Sequence, residues 1–259
     1  MEIKYATDLL IFAIDDKKND NCRELSKKKL SILLVKRNKE PYKNKWCLPG
    51  GFIFDGETSL IGAKRILKKE TNLENFYLEQ LKTFDDIDRD PRGRIISTAY
   101  ISLVDKKMIK QSLLPEAEWF AIETIEEANN VKIFLTNDDE SINISLLKTI
   151  INEKSNQYEY KLINSDLAFD HGLIINDGIN DIRKKANDSD IIFNMMPDKF
   201  TIGELKQVYE IILNKELINS AFRRVIAPKI EPTNEIIKNG GHRPPQYFKY
   251  KNKTDNKGE

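Results

Sequence analysis

The stretch Leu48 to Leu73, LPGGFIFDGETSLIGAKRILKKETNL, constrains the fold of this chain more than any other. It opens on Gly50-Gly51, which permit a sharp turn. Glu57 stands six residues after Gly51, and Arg65 eight residues after that. From about Ser59 to Thr71, Leu60, Ala63, Ile66 and Leu67 recur at helical spacing. Positions 66, 69 and 70 are spaced to share one face of that helix, and they carry Ile, Lys and Glu. A Mg²⁺ site is built from hard oxygen donors, chiefly carboxylates. Ile66 is no ligand, and Lys69 adds a positive charge to the face, so the face is a poor cage for a cation. Glu57 and Arg65 remain free to pair and hold loop against helix. The stretch therefore predicts a turn-and-helix frame with a single acid, Glu70, on its working face.

Around this frame the chain alternates apolar strands with polar breaks. Thr7 to Ile14 and Leu30 to Arg37 read as strands, joined by a solvated hairpin loop. Phe76 to Phe84, Arg94 to Val104 and Ala117 to Ile122 follow. The loop DDIDRDPRGR between the first two of these is dense in charge and carries Pro91 and Gly93. Residues 123–166 are ambiguous: ISLLKTIINE fits a helix or an irregular strand, while QYEYKLI alternates as a strand does. In AFDHGLIINDGINDIRKKA, Asp170 is a candidate N-cap, and Ile175, Ile179 and Ile182 share a face, predicting a helix from Asp170 to Ala186.

After Ile191 the character changes. Thr201 with Glu204 three residues on is a capping box, and Leu205, Val208, Tyr209 and Ile212 form an apolar stripe. Asn219 is a second candidate N-cap. It opens the short helix SAFRRVIA, which Pro228 ends. Then IEP and PQYFKY flank NGGHRPP, a hairpin with Asn239-Gly240-Gly241 available for its turn. Two helices, a tight turn and a hairpin are the plan of a winged helix-turn-helix. In its second helix Phe222, Val225 and Ile226 are expected to pack inward, leaving Ser220, Arg223 and Arg224 outward. From Asn219 to the end there are nine Lys or Arg against four Asp or Glu. The near balance of the whole chain, 42 basic against 41 acidic residues, hides this local excess.

The stretch 44–73 resembles the Nudix box, a glycine, a glutamate and an Arg-Glu-rich helix in fixed spacing. Gly51, Glu57, Arg65, Leu67, Glu70 and Leu73 match it, while Ile66, Lys69 and Asn72 depart from it. DRDPRGRIISTAYISLV resembles the ADP-ribose-directed branch. LAFDHGLII, MPDKFTIGELKQVYEIIL and AFRRVI look like the Nudix-related transcriptional regulators of the NrtR type.

The resemblance implies an α+β chain. Residues 1–188 would form a Nudix α/β/α sandwich with a mixed sheet, carrying an insertion at 123–166 and a coupling or dimer helix at 170–186. Residues 189–250 would form a small winged helix-turn-helix, and 251–259, which lack apolar residues, a disordered tail. It further implies a homodimeric repressor that reads a palindromic operator on double-stranded DNA, with ADP-ribose or a related NAD or nucleotide-sugar metabolite as effector.

Candidate effector contacts are Arg37, Trp46, Gly50, Gly51, Lys69, Glu70, Arg89, Arg92 and Arg94. The bland alternative for the arginines is a solvated loop with local ion pairs, and Trp46 suits a core as well as an adenine face. Candidate DNA contacts are Asn219, Ser220, Arg223, Arg224, Lys229, Lys238, His242 and Arg243, with Arg suited to guanine and Lys to phosphate. No catalytic residue, metal or cofactor is expected. The alternative is a working hydrolase of ADP-ribose or a sugar nucleotide, using Glu70 with Asp85, Asp86 or Glu118. A binding scaffold without DNA is a third reading. Two cysteines, Cys22 and Cys47, offer no disulfide framework, and two histidines exclude a multi-histidine metal site. With neither a signal peptide nor a membrane-length apolar run, a soluble cytoplasmic protein is expected.

Overall fold

The computed structural model describes residues 2–16, 27–72, 77–109, 115–155, 157–236 and 246–251. In chain order the elements are β1 (Lys4–Asp16), β2 (Lys28–Lys36), β3 (Trp46–Cys47), β4 (Gly50–Phe52), α1 (Ser59–Thr71), β5 (Tyr77–Phe84), β6 (Ile95–Asp105), β7 (Ala117–Glu127), β8 (Asn130–Thr136), β9 (Ser141–Asn152) and β10 (Gln157–Ser165). Then come α2 (His171–Asp188), α3 (Ile202–Leu213), α4 (Asn219–Ile226), β11 (Ile230–Ile236) and β12 (Gln246–Tyr250). The main sheet runs β10-β9-β8-β7-β2-β1-β6-β5, with β3 on β2 and β4 on β1. It is mixed: β1 and β6 are parallel, and the other pairings are antiparallel.

The central strand β1 is buried on both sides, and its side chains alternate between two layers. Leu9, Ile11 and Ala13 join Ala63, Ile66 and Leu67 of α1. Leu10 and Phe12 face the other way, into a cluster that includes Ile174, Ile179 and Ile182 of α2. The expected sandwich of helix, sheet and helix is present. The second cluster continues without interruption through Leu205, Val208 and Ile212 of α3 to Phe222 and Ile226 of α4. The winged helix is thus packed onto the sheet layer through shared core.

Residues 123–166 resolve as strand. β7, β8 and β9 form a meander in which Val131, Ile133, Leu135, Ile142, Ile144 and Leu146 are buried at every second position. Beyond Leu147 the hairpin of β9 and β10 extends past its covering layer, leaving Ile150 and Ile151 exposed. That loss of alternation is why ISLLKTIINE reads ambiguously. Asp170 does stand at the N-cap position of α2, but its side chain makes no capping bond.

In the C-terminal part, Thr201 and Glu204 form both halves of the capping box, and the predicted stripe of α3 is buried. Two expectations for α4 are corrected. Ile218, not Asn219, holds the N-cap position, and Val225 is 61% exposed. Phe222 and Ile226, one turn apart, define the buried stripe, and at 3.6 residues per turn Val225 lies about 100° away from Ile226. The hairpin turn with Lys238, His242 and Arg243, the β1–β2 loop with Cys22, and residues 252–259 lie outside the described residues.

Candidate functional site

The box builds its frame as a clamp. Thr58 caps α1, accepting from the Ile61 N–H through its hydroxyl. Arg65 donates to Glu57 through Nε (2.7 Å to Oε1) and Nη2 (2.8 Å to Oε2), and to the Phe52 carbonyl at 3.1 Å. Glu57 Oε2 also accepts the Phe54 N–H, and the Arg65 guanidinium lies 4.0 Å over the Phe54 ring. The Arg65 hydrogen bonds, helped by the Phe54 N–H, hold the Glu57 carboxyl down at about 2 against an ordinary 4.5. A carboxyl lowered by folding stabilises the fold above its unfolded pKa and loses that contribution as pH falls toward the folded one. Glu57→Gln is therefore expected to melt below wild type at pH 7, with the gap closing between pH 4.5 and 2. Melting temperatures across that range check it, and a constant gap would disprove the clamp.

The glycines act differently from expectation. Both belong to strand β4, and neither has positive φ; the backbone that needs glycine is at Gly56, φ 84°. Gly50 is required for space, since a Cβ there would fall 2.3 Å from Asp8 Oδ1. Gly51 has ordinary room beside Ile66 Cδ1 at 3.7 Å.

On the face that would hold metal in an enzyme, Ile66 is buried in the core. Glu70 is 5% exposed, and Lys69 on the helix flank donates to Glu70 Oε1 at 3.1 Å. Glu70 Oε2 is buried without a hydrogen bond. Among the described residues, no three His, Cys, Asp or Glu side chains are grouped to hold a metal ion. One carboxylate already bound to an ammonium does not fit a divalent cation.

Two pockets meet at this frame and share Arg37, Cys47, Leu48 and Gly50. One, of about 420 Å³, is also lined by Lys69 and Glu70. The other, of about 170 Å³, is lined further by Asp8, Gly51, Phe52, Arg89, Arg92, Phe169 and His171. The sequence-derived set is thus split. Arg37, Gly50, Gly51, Lys69, Glu70, Arg89 and Arg92 line one pocket or both. Trp46 and Arg94 line neither. Trp46 is core: 5% exposed, edge-on to Phe120 at 4.9 Å, with Nε1 donating to Glu140. Arg94 turns back to the Asp85 carbonyl.

The arginines are set by partners that sequence spacing does not reveal. Arg89 is buried and forms a two-pronged pair with Asp170, Nε to Oδ2 at 2.8 Å and Nη2 to Oδ1 at 2.7 Å; Asp8 Oδ2 lies 3.5 Å away. Arg92 pairs with Asp90 and lies 5.1 Å from the Phe52 ring and 5.2 Å from Phe169. Arg37 covers the same Phe169 ring at 4.7 Å. Asp90 is held below the ordinary carboxyl range by its Arg92 hydrogen bonds, although burial, the largest single influence, pushes the other way. His171 Nδ1 accepts the Leu48 N–H at 2.9 Å, and Nε2 is 3.7 Å from Asp8 Oδ1. Burial pushes the imidazole pKa down. The ring is neutral with its proton on Nε2, since an accepting Nδ1 carries none. Asp8, Phe169 and His171 were missed as pocket residues, and Asp170 as the partner of Arg89; the one signal was an acid inside the apolar run of β1 and a DH pair at the start of a helix.

A larger cleft, about 1010 Å³, lies on the far side of Arg89. Asp85, Asp86, Asp88 and Asp177 line it, so it disfavours a diphosphate.

In the winged helix, Asn219, Ser220, Arg223 and Arg224 are all exposed on α4. Neither arginine has an ion pair or side-chain hydrogen bond among the described residues. Lys229 is corrected: its ammonium is 2.6 Å from Asp190 Oδ1, and Asp190 Oδ2 accepts the Tyr250 hydroxyl. It ties the wing to the connection after α2 and is no free cation.

A sheet-and-helix box frame is joined to a winged helix, and comparison with known proteins finds both parts. A NUDIX domain matches residues 21–139, and an NrtR DNA-binding winged helix domain matches residues 192–250. The chain thus carries a NUDIX domain match followed by a match to the DNA-binding winged helix of NrtR. The "ADPR responsive transcriptional repressor NtrR" of Acinetobacter baylyi is 28% identical over 248 residues, 94% of this chain and 80% of that protein. An "ADP-ribose pyrophosphatase" of Methanocaldococcus jannaschii is 36% identical over 95 residues, 36% of this chain and 56% of that protein. Among solved structures, Shewanella oneidensis NrtR complexed with a 27mer DNA has a TM-score of 0.64 at 22% identity, over 95% of this chain and 93% of that one. A MutT/nudix family protein from Enterococcus faecalis has a TM-score of 0.69 at 23% identity, over 97% and 87%. These two likenesses show the shared fold. No helix among the described residues is long and apolar enough to cross a membrane.

Proposed function

We propose that this chain is a DNA-binding transcriptional repressor whose Nudix-like domain binds ADP-ribose as an effector and does not hydrolyse it. The observation that carries the DNA half is α4, which presents Arg223 and Arg224 exposed and unpaired among the described residues while Phe222 and Ile226 are buried. A helix of this kind enters the major groove, where Arg pairs with guanine. Val225, exposed beside the arginines, supplies an apolar contact of the kind a thymine methyl takes. The ligand half is supported by Arg37, Arg89 and Arg92 around one pocket and by the names of the Acinetobacter and Methanocaldococcus relatives. The inactive half is supported by the donor set: Lys69 occupies Glu70 where a metal would need it. The proposal includes a homodimer acting on a palindrome, one half-site per winged helix.

The test is anisotropy with duplexes selected by the wild-type chain from a random-sequence pool. Arg223→Ala and Arg224→Ala are each expected to weaken binding by about 1–3 kcal/mol, roughly 5- to 150-fold. Addition of ADP-ribose should shift wild-type affinity. Absence of salt-dependent binding in wild type would overturn the regulator. Cleavage of ADP-ribose with Mg²⁺ or Mn²⁺ that Glu70→Gln abolishes would establish the hydrolase instead; the free Oε2 of Glu70 is the feature that favours that second reading.

A further inference from the structure

Phe169 and His171 line the ligand pocket, Asp170 between them holds the pocket residue Arg89, and His171 is the first residue of α2. We propose that this segment is a latch: an incoming diphosphate takes Arg89 from Asp170, and α2 carries the change to the winged helix. The inference rests on the reading that the pocket binds ADP-ribose.

Three observations carry it. Asp170 stands where a helix cap belongs, yet both its oxygens are committed to Arg89 and the start of α2 has no side-chain cap. Asp170 therefore has a second partner waiting, the N–H groups of its own helix, which an Asp at this position ordinarily satisfies. Competition for Arg89 converts one arrangement into the other. Phe169 sits at φ 56°, in the left-handed region unusual for a bulky residue, with its ring between Arg37 and Arg92. Those guanidiniums hold it in place, so a phosphate drawing on either one loosens it as well.

The far end of α2 is tied to the reader. Arg183 Nε donates to the Ile212 carbonyl near the C-terminus of α3 at 3.1 Å, and Nη1 reaches Glu126 at 2.9 Å. Between the ends α2 lies flush on the sheet, since a Cβ on Gly178 would come within 2.5 Å of Leu10 Cδ2. A helix so confined shifts as a unit, and a packed two-arrangement element is what coupling requires.

The test uses the full chain, ADP-ribose titrated calorimetrically, and amide exchange with and without it. Asp170→Asn, with its competing charge gone, is expected to bind ADP-ribose about five- to tenfold tighter, the low end of typical coupling. Arg183→Met should bind it within about twofold of wild type but lose the ADP-ribose-induced change in exchange across α3, which wild type shows. Unchanged or weaker binding by Asp170→Asn with a native circular-dichroism spectrum, or an α3 response surviving in Arg183→Met, overturns the latch. Wild type that binds ADP-ribose without any α3 response also overturns it and leaves the ligand reading intact. Wild type that does not bind ADP-ribose overturns both.

Discussion

Replacing Arg89 with alanine will lower the unfolding free energy by about 3 to 5 kcal/mol and abolish ADP-ribose binding. The side chain is 4% exposed, and its partners Asp170 and Asp8 are 15% and 10% exposed, so solvent screens little of the interaction. A buried pair contributes modestly as a whole, because desolvation offsets attraction. Removing one member is far more costly, since it strands the other charge. Here alanine strands two carboxylates on the same side. Urea titration measures the loss. Adding Asp170→Asn to Arg89→Ala should recover part of it, because one stranded charge is gone and the two sites are coupled. A loss below about 1 kcal/mol would show that water or a counter-cation already solvates this network.

The second large effect is at Phe222, which is 7% exposed and meets Tyr209 edge-on at 5.4 Å. Core Phe→Ala changes cost about 3 to 5 kcal/mol. The consequence is local. α4 has eight residues and buries only Phe222 and Ile226. A helix that short does not hold itself in water. Phe222→Ala is expected to free α4 while the sheet stays folded. DNA affinity should fall at least as far as in either single arginine variant, amides 219–226 should exchange fast, and ADP-ribose affinity should stay within about twofold. Wild-type DNA affinity in this variant would mean that α4 is not the reading helix.

The sequence carried most of the frame because its signals are local. The helix over 59–71 with Ala63, Ile66 and Leu67 buried, the capping box at Thr201 and Glu204 and the stripe from Leu205 to Ile212 all appear as read; Leu60 alone of its spacing is exposed. Each is a contest among residues within a turn or two, where propensity and periodicity decide. Several of the readings that failed are those in which a distant partner competes. Asp170 holds the N-cap position as read, but its carboxylate goes to Arg89, 81 residues away, instead of to the helix N–H groups. Lys229 as a phosphate contact loses to Asp190. Trp46 as a stacking face loses to a core position beside Phe120, and Val225 fails because the buried stripe of α4 is narrower than its apolar residues suggest.

By itself the chain determined that a box frame with one acid precedes a basic winged helix, since residue type and spacing fix helix faces, caps and local charge. Only tertiary structure decided which arginines line a pocket, which acids hold them, and that α2 runs from that pocket to α3. The reason is physical. Periodicity reports which side of an element is apolar, whereas an ion pair is settled by where separate elements end, and that position is set by packing across the whole sheet.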